Sequence, residues 1–285
     1  MGGAESTVAV GVARLGRSAG WISCLGDDEF GKYVLNIMQG ERVDTSQVKV
    51  SSTSPTGVFF RENRVSGPSS VYYYRRNSAF SHMSPSDLDE DYIAGAKILH
   101  ITGITPGLST SCRETVIRAI DVARANGVCV VLDPNYRAKV WSAEEARPHL
   151  ESLMLRADYV LAGQEDFAKL TGMSCEKELL AYLHGLGLTE VILKLGRDGA
   201  ILSTQDNVEH ITGYLVDRPV DRFGVGDSFA VGFLVGLLNN SPLREAIALG
   251  NAVAGWSIRL PGNIEALPDW SDLEQFRSDH NFVVR

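Results

Sequence analysis

Gly224-Val225-Gly226-Asp227, leading directly into the apolar run Ser228-Phe229-Ala230-Val231-Gly232-Phe233-Leu234, is the stretch of this chain with the most chemical promise. Two glycines let the backbone turn tightly with no Cβ in the way. The helix they open offers unpaired N–H groups and the positive end of its dipole, which together make an anion site. A carboxylate in the first turn of such a helix has two uses. Asp227 either caps the helix, or takes a proton from a hydroxyl lying beside a bound phosphate. Gly-x-Gly-Asp alone does not choose between them.

Four further clusters carry reactive or ligand-binding types. Asp133-Pro134-Asn135-Tyr136-Arg137 follows the apolar run Val128–Leu132. Arg137 could fork onto a carboxylate or phosphate, or the segment could be a solvated turn with a helix cap. In Tyr73-Tyr74-Arg75-Arg76 alternate side chains face opposite ways if the segment is a strand, so Tyr73 and Arg75 share a face. That pair suits a polyol hydroxyl and a carboxylate; an aromatic cross-strand cluster with solvated arginines has the same composition. Lys194-Leu195-Gly196-Arg197-Asp198-Gly199 follows the apolar Val191–Leu193. Its glycines allow a ligand close to the backbone, as does a plain β-turn. Gly163-Gln164-Glu165-Asp166 follows Tyr159–Leu161, and Asp166 either reaches Mg²⁺ through water or caps a helix.

The elements needed to position these residues are legible. Val8, Val12 and Leu15 mark one face of an opening helix that ends at Gly16, Trp21–Leu25 is a short strand, and a helix runs from about Phe30 to Met38. Ile98–Ile101, Val128–Leu132, Tyr159–Leu161 and Val191–Leu193 are continuous apolar runs, as suits strands buried on both faces of a parallel sheet. Helical periodicity over 111–126, 143–155 and 176–186 separates them. The βαβα order predicts an α/β fold with a mostly parallel sheet, and ligands in such sheets bind at the carboxyl ends of the strands. All the clusters named above fall where strands end. From Val43 to Arg76 the rhythm breaks: Gly57–Phe60 and Val71–Tyr74 are β-rich, joined by turns such as Ser66-Gly67-Pro68. This section predicts a small β-sheet lid over 43–75, with 1–42 and 76–285 forming the α/β body.

Bulk properties narrow the field. The chain has 285 residues, 44% hydrophobic and 22% charged, with a formal net charge of -8. Nucleic acid and anionic membrane are therefore unexpected partners, and an anionic ligand must rely on local arginines. The sequence shows no membrane span and no signal-peptide pattern. Cys24, Cys112, Cys129 and Cys175 form no C-x-x-C pair and read as reduced thiols of a cytoplasmic protein. The six histidines lack metal-ligand spacing.

Taken in order, Gly2-Gly3-Ala4, Gly26-Asp27-Asp28-x-Phe30-Gly31, Asp133-x-Asn135-x-Arg137, Lys194-x-Gly196-x-x-Gly199 and Gly224-x-Gly226-Asp227 resemble the ribokinase (PfkB) family of carbohydrate kinases over essentially the whole chain. Tyr73-Tyr74-Arg75, Arg137, Val220-Asp221-Arg222-Phe223 and Asn263-Ile264-Glu265-Ala266-Leu267-Pro268 resemble its sugar-acid branch, the kinases of 2-keto-3-deoxygluconate. The resemblance implies a three-layer ribokinase-like sandwich, ATP and Mg²⁺ as cofactors and a sugar acid as substrate. It implies Asp227 as the base, with Gly224, Val225 and Gly226 donating N–H groups to the transferring phosphoryl. Gly3, Tyr73, Tyr74, Arg75, Arg137 and Asn263 would hold the sugar acid, and Asn135, Lys194, Gly196, Gly199 and Asn251 would line the ATP site. The lid's aromatics suggest a homo-oligomer.

The chain also departs from the family pattern. Thr7 stands where the family has Asn, Phe59 where sugar-acid kinases tend to have Tyr, Gly163 and Asp166 replace an Asn-x-x-Glu metal-water motif, and Val225 replaces a small Ala. Relatives carry a strand ahead of the Gly-Gly with which this chain opens. The expected consequence is an open apolar sheet edge, and a misplaced start, a fragment and an impaired, kinase-like binding protein all stay open. A neutral sugar such as fructose or ribose is the alternative substrate.

Overall fold

The computed structural model describes residues 1–62 and 70–281; the Ser66-Gly67-Pro68 turn lies outside them. In chain order the elements open with α1 (Ala4–Arg14), β1 (Ser23–Gly26), α2 (Glu29–Gly40), β2 (Val48–Ser51), β3 (Val58–Glu62), β4 (Ser70–Tyr74) and the short α3 (Glu90–Ala94). Next come β5 (Ile98–Thr102), α4 (Thr110–Ala125), β6 (Cys129–Asp133), α5 (Ala143–Met154), β7 (Tyr159–Gly163), α6 (Gln164–Thr171) and α7 (Glu176–Gly185). The chain continues through β8 (Glu190–Lys194), β9 (Gly199–Thr204), β10 (Val208–Thr212), α8 (Val225–Leu238), α9 (Leu243–Ser257) and α10 (Trp270–Asn281).

The apolar runs build the centre. A six-stranded sheet has the order β10-β9-β8-β7-β6-β5. From β5 to β8 all neighbours are parallel, and β9 and β10 close one side antiparallel. Alternate side chains on these strands leave on opposite faces. Val130, Leu132, Val160, Ala162, Val191 and Leu193 enter one core, under α4 to α7. Val131, Leu161, Ile192 and Ala200 enter the other, against α1, α8 and α9. This is why the runs are apolar throughout, and it makes a three-layer sandwich. The arrangement is the mostly parallel α/β fold that the sequence predicts.

The remaining strands form two small sheets: β1 with β2, parallel, and β3 with β4, antiparallel. Register pairs Phe59 with Tyr73 and Arg61 with Val71, so these four share one face. Phe60, Tyr72 and Tyr74 lie on the other and are 63%, 49% and 65% exposed. The outer edge of β5 pairs with no strand among the described residues. It borders a groove of about 750 Å³ lined by Val8, Val12, Trp21, Ile22, Leu234 and Leu238.

Candidate active site

The carboxyl ends of β6, β7 and β8 meet the N-terminus of α8. Gly224 caps α8 with φ 77°, and a Cβ there would stand 1.8 Å from the Asn263 Oδ1. Only glycine satisfies both demands. The first bond of the helix runs from the Ser228 N–H to the Gly224 carbonyl at 2.8 Å, so the N–H groups of Val225, Gly226 and Asp227 have no intrahelical partner. They form an anion hole at the positive end of a 14-residue helix.

The Asp227 carboxylate takes its hydrogen bond from outside the helix and not from the helix's own first turn. Its Oδ1 accepts from Asn135 Nδ2 at 3.3 Å. The carboxyl is 9% exposed, and burial, aided by the nearby charge of Asp133, pushes its pKa up to about 7 against the pull of Arg137 and Lys194. A carboxylate tuned to neutral pH is suited to general-base work.

The Asp133–Arg137 segment is not a solvated turn: Asp133, Asn135 and Tyr136 are all buried. Asp133 Oδ2 takes the Lys194 ammonium at 2.5 Å, while its Oδ1 accepts the Asn135 N–H at 3.1 Å. Asn135 is thereby held at φ 36°, aimed at Asp227. Lys194 reaches beneath the anion hole, 3.8 Å from where a Cβ on Gly226 would be. Arg137 donates from Nη1 to Asp166 Oδ1 at 3.0 Å and to its neighbour's carbonyl, Tyr136 O, at 3.2 Å. Burial acts to lower the Arg137 pKa, but Asp166, Asp227 and Asp133 together keep it raised.

The inner face of the β3–β4 sheet supplies the opposite wall. The Arg75 guanidinium lies 4.2 Å from the centre of the Tyr73 ring, and its Nη2 is buried with no hydrogen-bond partner. Burial lowers its pKa, and repulsion from Arg137 adds to that. Two cationic groups therefore face one space. The Phe59 ring touches those of Tyr73 and Phe223 at 6.1 and 5.8 Å. It also occupies the room a Cβ on Gly2 would need. The hydroxyl absent from Phe59 is replaced by ring packing.

Asn263 closes the side nearest α1. Its Nδ2 donates to Thr7 Oγ1 at 2.7 Å, and its buried Oδ1 has no partner. Thr7, completely buried, thus holds the amide that the family pattern implies as a sugar contact. Gly3 caps α1 and accepts the Thr7 N–H at 2.9 Å and the Ser6 hydroxyl at 3.1 Å.

Two expected ligand residues are placed otherwise. Tyr74 sits on the outer face of β4, edge-on to Phe60 at 5.6 Å, because strand alternation turns it away from Tyr73 and Arg75. Asn251 spends its Nδ2 on the carbonyls of Ile211 (3.0 Å) and Thr212 (3.3 Å). It secures the end of β10 behind Gly199, whose φ is 95° and whose missing Cβ leaves room for the Ile211 carbonyl and the Gly213 N–H. Gly196, at φ 63°, has open space before it.

Sequence reasoning missed several supports. Glu5 Oε1 accepts from Thr102 Oγ1 at 2.6 Å and Thr105 Oγ1 at 2.8 Å, and Asp133 is the hub just described. Only the position of Asp133 at a strand end signalled it. Among the described residues no three metal-ligating side chains gather.

A model of the pfkB family carbohydrate kinases matches residues 1–270. The 2-dehydro-3-deoxygluconokinase of Bacillus subtilis (strain 168) is 34% identical, over 99% of this chain and 88% of its own. The 5-dehydro-2-deoxygluconokinase of Geobacillus kaustophilus (strain HTA426) is likewise 34% identical, over 98% of this chain and 85% of its own. Among solved structures, a putative ribokinase II from E. coli in complex with ATP and Mg²⁺ superposes with a TM-score of 0.88 at 26% identity, covering 98% of this chain and 89% of that one. The buried carboxylate at a glycine-opened helix and the small β3–β4 sheet facing it fit this company, and the chain belongs to the pfkB family of carbohydrate kinases.

Proposed function

We propose that this kinase transfers the γ-phosphoryl group of ATP to a hydroxyl of a keto-deoxy sugar acid, 2-dehydro-3-deoxygluconate, forming its 6-phosphate. The observation that carries this reading is the unpartnered, buried Nη2 of Arg75, set close enough to Arg137 for the two charges to repel. A buried guanidinium without a partner is costly, and a substrate carboxylate relieves it with charge-assisted hydrogen bonds. The free Oδ1 atoms of Asn135 and Asn263 are acceptors waiting for hydroxyl donors. The β3–β4 sheet serves as the lid, with Tyr73 and Arg75 on its substrate side.

Asp227 takes the proton of the attacking hydroxyl. The N–H groups of Gly224, Val225 and Gly226, with that of Asp227 beside them, receive the phosphoryl oxygens, and Lys194, steadied by Asp133, adds positive charge beneath them. Gly196 leaves space for the nucleotide beside β8. The donor set fits a magnesium nucleotide: when bound, Mg²⁺ would neutralise the phosphates' charge, and Asp166 is the carboxylate that would hold it, through water. Asp166 already answers Arg137, so its hold on the ion is indirect. The need for ATP and the free thiols agree with a reducing, cytoplasmic setting.

Replacing Arg75 by Ala tests the reading. It should raise the KM for the sugar acid about 10-fold or more, as loss of a charged hydrogen bond of about 1.5–3 kcal/mol requires, with the KM for ATP little changed. An unaltered sugar-acid KM would remove the carboxylate from Arg75. The Geobacillus relative, named for 5-dehydro-2-deoxygluconate, supports that isomer as a second substrate to assay. Both acids present a carboxylate to the arginines, so kcat/KM with each decides between them.

A further inference from the structure

One ion pair joins the lid to the turn that leads into the anion hole. Arg61, on the inner face of β3, donates from Nη1 to Asp221 Oδ2 at 2.6 Å and from Nη2 to Asp221 Oδ1. Asp221 lies three residues before Gly224. Its carboxylate also accepts the Phe223 N–H at 2.9 Å and the Gly262 N–H at 3.2 Å. Burial works to raise the Asp221 pKa, but the bonds from Arg61, Phe223 and Gly262 hold it below the usual range. The side chains of the pair are only 18% and 6% exposed. The guanidinium covers the Phe223 ring at 4.7 Å, and Phe59, two residues away on the same lid face, leans on that ring.

Three separate pieces of chain therefore share one carboxylate: the lid strand, the turn Asp221–Gly224, and the loop Gly262–Asn263 whose amide abuts Gly224. A withdrawn ion pair adds little net stability, because desolvation offsets most of the attraction. What a forked, fully satisfied pair does supply is fixed geometry. Any shift of β3 must draw on Asp221, and Asp221 holds the backbone immediately before the phosphoryl-binding N–H groups.

We propose that Arg61 is a positioning residue: its fork on Asp221 transmits the seating of the lid over the sugar to the Gly224–Gly226 turn, bringing the acceptor hydroxyl into line with the phosphoryl group. This rests on the sugar-acid kinase reading. A misplacement of about 1 Å can cost ~100-fold in rate, so the coupling needs no contact between Arg61 and substrate.

Steady-state kinetics on Arg61→Met, Arg61→Lys, Asp221→Asn and the Arg61→Met/Asp221→Asn double variant test it. The Met variant should lose about 10- to 100-fold in kcat/KM for the sugar acid, with the KM for ATP within about twofold. The Lys variant, which keeps the charge but not the fork, should fall between it and the parent. The double variant should be no worse than the poorer single one. Amide hydrogen exchange gives a second readout: sugar acid alone should protect residues 221–226 in the parent and not in Arg61→Met. A lowered melting temperature with unchanged kcat and sugar KM would overturn the proposal, leaving the pair a structural brace. Additive losses in the double variant, or equal protection in parent and Arg61→Met, would also overturn it. A parent chain without sugar-acid turnover would instead sink the kinase reading, and this proposal with it.

Discussion

Asp227 sits in a conflict between stability and chemistry. Its pKa is raised, by burial first and by Asp133 second, to about 7. A carboxyl whose folded pKa lies above the unfolded value of about 3.9 binds more protons when folded. Stability on its account therefore falls as pH rises from about 4 to about 7, and above that the ionised group is a constant cost. Two outcomes follow. Activity should rise with pH along an acid limb centred near pH 7, where the base becomes deprotonated. Asp227→Asn should lower kcat by about 10²–10⁴-fold, yet melt a few degrees higher than the parent at pH 8, as read by calorimetry. A variant less stable than the parent at that pH would contradict the electrostatic account. The sequence displayed Asp227 and its glycines plainly. It could not display Asn135 against Asp227 or Lys194 on Asp133, because those contacts join residues far apart in the chain.

At the scale of elements, periodicity carried most of the information. The runs at 98–101, 128–132, 159–161 and 191–193 are strands β5 to β8, and the helices expected at 111–126, 143–155 and 176–186 are α4, α5 and α7 to within a residue or so. Strands buried on both faces announce themselves by apolar continuity. The antiparallel β9 and β10 were less legible, since β10 is partly exposed and polar residues interrupt it. The same strand alternation that paired Tyr73 with Arg75 also turned Tyr74 outward, so its placement on the substrate side was a misreading of a legible pattern. Turn geometry is sharper still. Gly224→Ala must accept φ 77° and a collision with Asn263 Oδ1. It should destabilise the protein by more than the ~1 kcal/mol of an ordinary glycine replacement, and it should disable phosphoryl transfer with the fold intact by circular dichroism. A fully active Gly224→Ala would show that this turn does not shape the anion hole.

At the scale of the molecule, two surfaces stand out. One is the outer edge of β5, which pairs with no strand among the described residues, together with the apolar groove beside it. The other is the outer face of the β3–β4 sheet, where Phe60, Tyr72 and Tyr74 are exposed together. Exposed apolar patches of this kind mark association surfaces, and self-pairing of the chain there is what the sequence led one to expect. Phe60→Ser should then convert a dimer into monomers in light scattering after size exclusion; a parent chain that is already monomeric at micromolar concentration would refute the pairing. Composition shows an aromatic face but not what covers it.

Coupled ADP release with ATP and Mg²⁺ on 2-dehydro-3-deoxygluconate, gluconate, fructose and ribose, run for the parent chain and Asp227→Asn, decides whether Asp227 serves a sugar-acid kinase. Turnover with the keto-deoxy acid should exceed that with all the others and fall by about 100-fold or more in Asp227→Asn. Equal rates in the two proteins, or a preference for a neutral sugar that offers Arg75 and Arg137 no carboxylate, would contradict that role.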